Sequence, residues 1–478
     1  MIKNIDPREC VHRDYIKQLV ALPSVLGVKA CGGYQSCQIN ELISLHERHL
    51  KPTKQVDKQA MSIYMRCFHQ FCKKYPVKHF KPFSRSQVIK ESPQNRRTRI
   101  KNAYDNINKY GELPPGFKIV RAFLKKEKHE DDIFNPLESK APRMIQHRSD
   151  EYCYELARYI KPLEKYVLYT RYGRYCKSRD RIFIKGMDSY EIADNLFHMG
   201  DKFPNPVWIP LDHSKYDAHL NYGIRGFFRI WMKACYRNDH HFKMMIDCQA
   251  RNKCKTANNI MYEMQETLCS GEILTSFEGS VDNYALALEF TRYVSAEIRV
   301  NGDDMMICLD RSEIHLIDFD FYERACMSTK LLIVDDIFQI EFCQCRIVIV
   351  NGKPRMVRNP SRVIARTCYT LKTFPNVGGY EKLLGSIGLG ELHCNSGVPI
   401  LQSWAQLLIR SAHGQFSENM YIEYMSRRHE RRDVAREVTN EARQTFDMSY
   451  NISPSRQREL ESFFDQKKSL TVLAQVGR

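Results

Sequence analysis

RVNGDDMMICLD, residues 299–310, sets two adjacent aspartates in the middle of an apolar run. Ile298 and Val300 before the aspartates, and Met305 to Leu309 after them, favour strands, and Asn301-Gly302 is a strong hairpin-turn signal. The pattern predicts a β-hairpin with Asp303 and Asp304 side by side at its tip. Two carboxylates that close repel, so the tip demands a positive partner. Asp is common in turns because its side chain bonds nearby backbone N–H groups, and Gly-Asp-Asp arises by chance in roughly one chain in ten of this length. The triplet acquires chemical meaning only with a third carboxylate and a means of holding phosphates.

Asp212 ends the extended segment PVWIPLD (206–212), and Asp217 follows in DHSKYD. If that strand lies beside the hairpin, Asp212 faces Asp303 at one end of the sheet. Carboxylates converging there suit Mg²⁺, with Mn²⁺ as an alternative. Two such ions about 3.5–4 Å apart can clamp an in-line phosphoryl displacement. Capping of the following helix is the competing role for Asp212. Pro210 has no N–H for a ladder, so the strand is expected to be irregular or at an edge there.

Other stretches could hold a nucleotide. SGEILT (270–275) joins a flexible Ser270-Gly271 loop to a helix start at Thr275, and such a loop can approach a base or ribose closely. Ser270 could equally be a simple N-cap. VRAFLKKEKHE (120–130) carries Arg121, Lys125, Lys126 and Lys128, and Arg143 follows in APRMIQ. These cations could line a channel for a triphosphate or merely a basic surface strand. Lys330, in MSTKLL, could protonate a leaving pyrophosphate, although a surface lysine is the commoner reading.

The bulk numbers permit this chemistry. The 478 residues allow two or three domains or one large multi-lobed enzyme. Hydrophobic content of 43% and charged content of 27% are ordinary for a globular protein. The net charge of +17 favours polyanion partners, nucleic acid or an anionic membrane. Seventeen cysteines without a CxxC pair, and no visible signal peptide, read as reduced intracellular thiols. Cys67, His69 and Cys72 form the tightest Cys/His cluster, but zinc needs four ligands, and a helix with buried cysteines fits better. No run approaches the ~20 apolar residues of a membrane span.

Along the chain, residues 1–110 read as helical and basic, with a positive run at Arg96, Arg97, Arg99 and Lys101. Helices are expected over 218–236, 275–297 and 311–329, with short strands across 331–350. A change of character is expected at Gly352-Lys353-Pro354, and a glycine-rich break at 385–397. Ser453-Pro454 signals the cap of a last helix. The order strand, helix, helix, hairpin, helix, strand predicts an α+β core, an antiparallel sheet backed by helices.

Taken in order, these segments resemble viral RNA-dependent RNA polymerases, most closely those of tombusvirus-like (carmo-like) plus-strand RNA viruses, across residues 115–460. VRAFLKKEK and APRMIQHRS look like the family's motif F, DHSKYD like motif A, SGEILT like motif B and NGDD like motif C. Lys330 falls at the motif D lysine, and IEFCQ (340–344) looks like motif E. MVRNPSR, SGVPILQS and SYNISP resemble stretches of the thumb side. The resemblance implies a right-hand fold: 1–206 as N-terminal region and fingers, with motif F at 119–148; 207–350 as palm, with a fingers insertion around 237–266; and 351–478 as thumb. It implies Asp212, Asp303 and Asp304 as metal ligands and Lys330 as general acid. Asp217 and Thr275 would sense the ribose 2′-hydroxyl, and Ser270, Gly271, Lys125, Lys128 and Arg143 would bind nucleotide. The family usually has Asn four residues after the motif B threonine. Gly279 stands there, and Asn283, one helical turn on, is the candidate substitute. Reverse transcriptases carry a bulky residue where this chain has Asp217. The implied partners are RNA template and product, ribonucleoside triphosphates and a membrane-anchoring replication protein, in membrane-associated complexes of the host cytoplasm. A non-catalytic RNA-binding replication factor and a two-metal nuclease are the rival readings. No methyltransferase, helicase or protease signature is present.

Overall fold

The structure is a computed structural model that describes residues 13–14, 17–50, 53–130, 141–426, 430 and 432–473. Residues 131–140 of the basic stretch, and the start of the N-terminal region, lie outside the described residues. In chain order, the elements that carry the site are α1 (Lys58–Lys74), β1 (Val120–Leu124), β2 (Met144–His147), α2 (Asp150–Val167), α3 (Ser189–Gly200), β3 (Pro206–His213), α4 (Tyr222–Cys235), β4 (Arg251–Thr256), β5 (Met261–Gln265), α5 (Thr275–Phe290), β6 (Ala296–Asn301), β7 (Asp304–Asp310) and β8 (Thr329–Leu331). After them come β9 (Cys345–Val350), β10 (Lys353–Arg358), α6 (Val377–Cys394), α7 (Leu401–Ser411) and α8 (Pro454–Gln466).

The central sheet has the order β6-β7-β3-β8, and every neighbouring pair is antiparallel. Side chains alternate between its faces. Val207, Ile209 and Leu211 of β3, with Met305, Ile307 and Leu309 of β7, enter a core shared with α1, α4 and α5. Trp208, Met306 and Cys308 point the other way, onto α3 and the β9–β10 hairpin. This is the helix-backed antiparallel core expected from the order of elements.

Pro210 lies inside a central strand and not at an edge; of the two expectations, the irregular ladder is the one found. The ladder explains why it is tolerated. Trp208 N–H donates to Val334 at 2.9 Å, on the β8 side. The N–H direction alternates along a strand, so the hydrogen that Pro210 lacks would also point there. It would fall between Leu331, where β8 stops, and the lone bridge at Val334. No ladder bond is lost.

A second sheet has the order β2-β1-β4-β5, so the hairpin of β4 and β5 extends the basic segment. The N-terminal region joins this segment to the C-terminal helices. Cys31–Tyr34 pairs with His129–Glu130, and Lys17–Gln18 pairs with Tyr369–Thr370. Leu19 and Val20 are buried in the C-terminal core.

Several local expectations shift. The hairpin turn is Gly302-Asp303 rather than Asn301-Gly302, because Asn301 pairs with Asp304 and Gly302 takes φ +69°. The helix expected over 218–236 begins at Tyr222, capped by Asn221, after a short turn of helix at Tyr216–His219. The one expected over 275–297 ends at Phe290. That over 311–329 reduces to the 3₁₀ segment Arg311–Leu316 and one turn at Phe321–Arg324. Gly352 turns a tight hairpin in which Val350 pairs with Lys353, and the described chain beyond β10 is mostly helical, as expected after this tripeptide. The glycine-rich stretch at 385–397 does not break the chain but lies largely within α6. There, a Cβ at Gly385 would stand 1.9 Å from the Gln415 carbonyl oxygen, and one at Gly388 2.9 Å from the Ile409 nitrogen. These glycines let helices approach closely. Cys67 is buried on α1, every described cysteine is a free thiol, and Ser453 caps α8 through the Arg456 N–H.

Candidate active site

Strand register assembles the acidic residues. Met305 pairs with Leu211, so the next step along both strands sets Asp304 opposite Asp212. Asn301 pairs with Asp304 on one side, and Lys330 with Asp212 on the other. Asn301, Asp304, Asp212 and Lys330 therefore form one row across four strands, on one face at one end of the sheet. Asp303 sits at the adjoining turn, exposed. Asp212 is in the strand and caps no helix.

Beside the turn lies a cavity of about 700 Å³. Asp303 and Gly302 meet Asp217, Ser270, Gly271, Thr275, Lys125 and Arg143 on its walls. Segments that are far apart in the chain thus converge here. The Ser270-Gly271 loop is docked on β2: Ser270 Oγ donates to the Met144 carbonyl at 2.9 Å, and Gly271 N–H to the Gln146 carbonyl at 2.8 Å. Ser270 is therefore a tether and not an N-cap; α5 starts at Thr275, whose hydroxyl donates to the Cys269 carbonyl at 2.6 Å. A buried pair, Arg148 Nε to Glu272 Oε1 at 2.9 Å, fixes the same loop from below. Gly279 leaves its part of the wall open, and its carbonyl accepts the Tyr216 hydroxyl at 2.7 Å.

The electrostatics are strained. Burial, and then the Asp303 charge, push the Asp304 carboxyl up to about 7, although the Cys343 thiol bonds to it. Burial and Asp303 also push Asp217 up to about 7, against the pull of Arg225 and Arg143. Glu127 holds Lys125 at 3.3 Å and Arg143 Nε at 2.6 Å, so these cations are arrayed on a carboxylate at the cavity edge. Burial drives His213, next to Asp212, down to about 4, which leaves it neutral.

Residues 34–472 match the family described as viral RNA dependent RNA polymerase. The chain belongs to that family. Among curated polymerases of this kind, the RNA-directed RNA polymerase of groundnut rosette virus (strain MC1) is 26% identical over 96% of this chain and 55% of its own length. That of red clover necrotic mosaic virus is 24% identical over 94% of this chain and 61% of its own. That of carnation mottle virus is 26% identical over 75% and 47%. The chain spans about half the length of the curated relatives it matches.

Two residues expected at the nucleotide by this polymerase resemblance lie elsewhere. Asn283 is fully buried beneath the turn, its amide nitrogen bonded to the Gly302 and Asp303 carbonyls. It supports the hairpin instead of reaching a ribose. Lys128 donates to the Arg366 and Tyr369 carbonyls and so ties the basic segment to the C-terminal region. Arg48 and His49, which the sequence reading did not single out, line the cavity, as does Arg96, which it placed only in a basic run. Arg48 and His49 lie on a π-helical turn, Leu45–His49, that no local signal announces.

The acidic row fits a divalent cation in chemistry. Carboxylate oxygens are hard donors, and a dication would offset the Asp303 repulsion that adds to burial in raising Asp304. Among the described residues, no three His, Cys, Asp or Glu side chains are already gathered into a metal cage. Further oxygens would come from water or a bound phosphate. No described helix is long and apolar enough to cross a membrane.

Proposed function

We propose that this chain is the catalytic part of an RNA-directed RNA polymerase that copies a viral plus-strand genome from ribonucleoside triphosphates. The observation that carries the reading is that the turn at the end of the acidic row, Asn301-Gly302-Asp303, lines the cavity, while Asp212, Asp304 and Lys330 of the row are not among its lining residues. Lys125 and Arg143 draw the triphosphate in, the Ser270-Gly271 loop and Thr275 bound the sugar and base, and Asp217 accepts the ribose 2′-hydroxyl. A deoxynucleotide leaves that acceptor unpaired, which gives discrimination. Asp212, Asp303 and Asp304 would hold Mg²⁺ or Mn²⁺, whose charge lowers the pKa of the attacking 3′-hydroxyl and stabilises the leaving pyrophosphate. Lys330, opposite Asp212, is the proton donor to that pyrophosphate.

The central sheet would be the palm, the β2-β1-β4-β5 sheet part of the fingers and the C-terminal helices the thumb. RNA is the polyanion that the net charge of +17 serves. A membrane-anchoring replication protein would bring the chain to replication complexes in the host cytoplasm.

Purified protein with RNA template, Mg²⁺ and four ribonucleotides should yield template-length product. Asp303→Ala should abolish synthesis, while RNA binding persists and weakens with salt. No product from the wild type across Mg²⁺ and Mn²⁺ concentrations, or undiminished product from Asp303→Ala, refutes the assignment. RNA binding without incorporation would instead mark a replication factor, and nucleotide-independent degradation a nuclease.

A further inference from the structure

Hydrogen-bond bookkeeping around Asn283 determines more than its burial. Its Nδ2 has two hydrogens and uses both, on the Gly302 carbonyl at 2.9 Å and the Asp303 carbonyl at 3.2 Å. The flipped amide would set Oδ1 against two carbonyl oxygens, so the neighbours fix its orientation. Oδ1 therefore faces His213 Nε2, at 2.9 Å. An amide oxygen only accepts, so Nε2 carries the ring proton. A neutral ring protonated at Nε2 has a bare Nδ1. That nitrogen lies 2.8 Å from Thr329 Oγ1, whose hydroxyl must donate to it.

The donors thus all run one way, from Thr329 to His213 to Asn283 to the turn. Ser280 Oγ accepts the Gly302 N–H at 2.9 Å and steadies the same turn from α5. At the other end, Thr329 pairs across the sheet with His213, and its neighbour Lys330 pairs with Asp212. His213 and Thr329 face the helix-backed side, whereas Asp212 and Lys330 project from the opposite face.

We propose that His213 is a positioning residue that ties the acidic turn to the strand bearing Lys330, so that aspartates and proton donor are set relative to the nucleotide as one unit. The inference rests on the polymerase reading and assigns a role that the nucleotide contacts do not contain. His213 also contributes to the cavity lining, but both of its ring nitrogens are taken, by Asn283 and by Thr329. It acts through Asn283 on the Asp303 backbone and through Thr329 on the Lys330 strand.

The test is a double-mutant cycle on single-nucleotide incorporation. Asn283→Ala and Thr329→Val should each lower kcat about fivefold, the loss of one buried hydrogen bond, with KM for the nucleotide unchanged. Because both act through one ring, the double variant should fall within about twofold of either single variant. Thr329→Ser should restore activity. Losses that multiply to about twenty-five-fold, or an unchanged kcat with a lowered melting temperature, overturn the relay. A second measurement needs no turnover. ¹⁵N spectra of labelled imidazoles should report His213 as the Nε2–H tautomer, and an Nδ1–H tautomer overturns the relay outright. A wild type that makes no product overturns the polymerase reading, which is distinct from an active wild type with multiplicative losses.

Discussion

Gly271→Ala should separate nucleotide handling from RNA binding. An added Cβ would stand 2.7 Å from the Gln146 carbonyl oxygen and 2.7 Å from Ile145 Cγ2. Ordinary contacts begin near 3.5 Å, and a carbonyl inside a paired strand cannot swing aside, so the loop must back off by on the order of 1 Å. That displacement breaks the Gly271 N–H bond to Gln146 and the Ser270 hydroxyl bond to Met144. At about 1 kcal/mol each, the docked loop loses about 2 kcal/mol, roughly thirtyfold in population. If only the docked loop completes the cavity wall, apparent KM for the nucleotide should rise about ten- to thirtyfold. RNA affinity, which depends on the basic segments, should stay constant. Steady-state single-nucleotide incorporation and salt-dependent RNA binding read the two effects. Gly226→Ala is the control: nothing lies within 4 Å of its Cβ, and it sits inside α4. It should raise stability by about 0.5–1 kcal/mol and leave kinetics alone. A Gly271→Ala enzyme with wild-type KM refutes the docked-loop account.

Other outcomes follow from the same geometry. Asp217→Ala should lower the preference for ribo- over deoxyribonucleotides about tenfold or more, measured as a ratio of kcat/KM values; an unchanged ratio removes Asp217 from the ribose. Chelation should stop incorporation, and added Mg²⁺ or Mn²⁺ should restore it; turnover in excess chelator would contradict the acidic row's role. Gly385→Ala should destabilise the C-terminal helices by about 1–3 kcal/mol or more, seen as a lower melting temperature, because Gln415 offers only a backbone oxygen to the new methyl group. Glu297 is raised by burial but pulled further down by Arg171, Arg299 and Lys202, to about 2. A depressed carboxyl stabilises the fold above its unfolded value of about 4.5 and ceases to as pH falls towards 2. Glu297→Gln should lower the melting temperature at pH 7 and flatten its decline over that interval.

Features set by neighbours in the chain were legible in the sequence. The NGDD hairpin, the Ser453 cap and the helix carrying Cys67 depend on turn chemistry and periodicity. The convergence of Asp212 on the hairpin followed from element order together with the resemblance. What the sequence hid is tertiary. Asn283 has the right helical phase to replace a residue at Gly279, yet it is turned inward by two carbonyls that only the folded hairpin supplies. Lys128 reads as one more cation in a basic run, but the N-terminal region draws that run against residues 366–369. The glycines of α6 look like breakers until the helices opposite them are known. Arg48 and Arg96 carry no motif, so only coordinates bring them to the cavity.

Because the acidic row is built from register, the fold proofreads it. Inserting one residue midway along β3 would carry Asp212 into the place of His213 on the helix-backed face, and would turn Leu211 outward. The same slip would part Asp212 from both Asp304 and Lys330. A register slip in this strand would therefore cost apolar burial and the acidic row together.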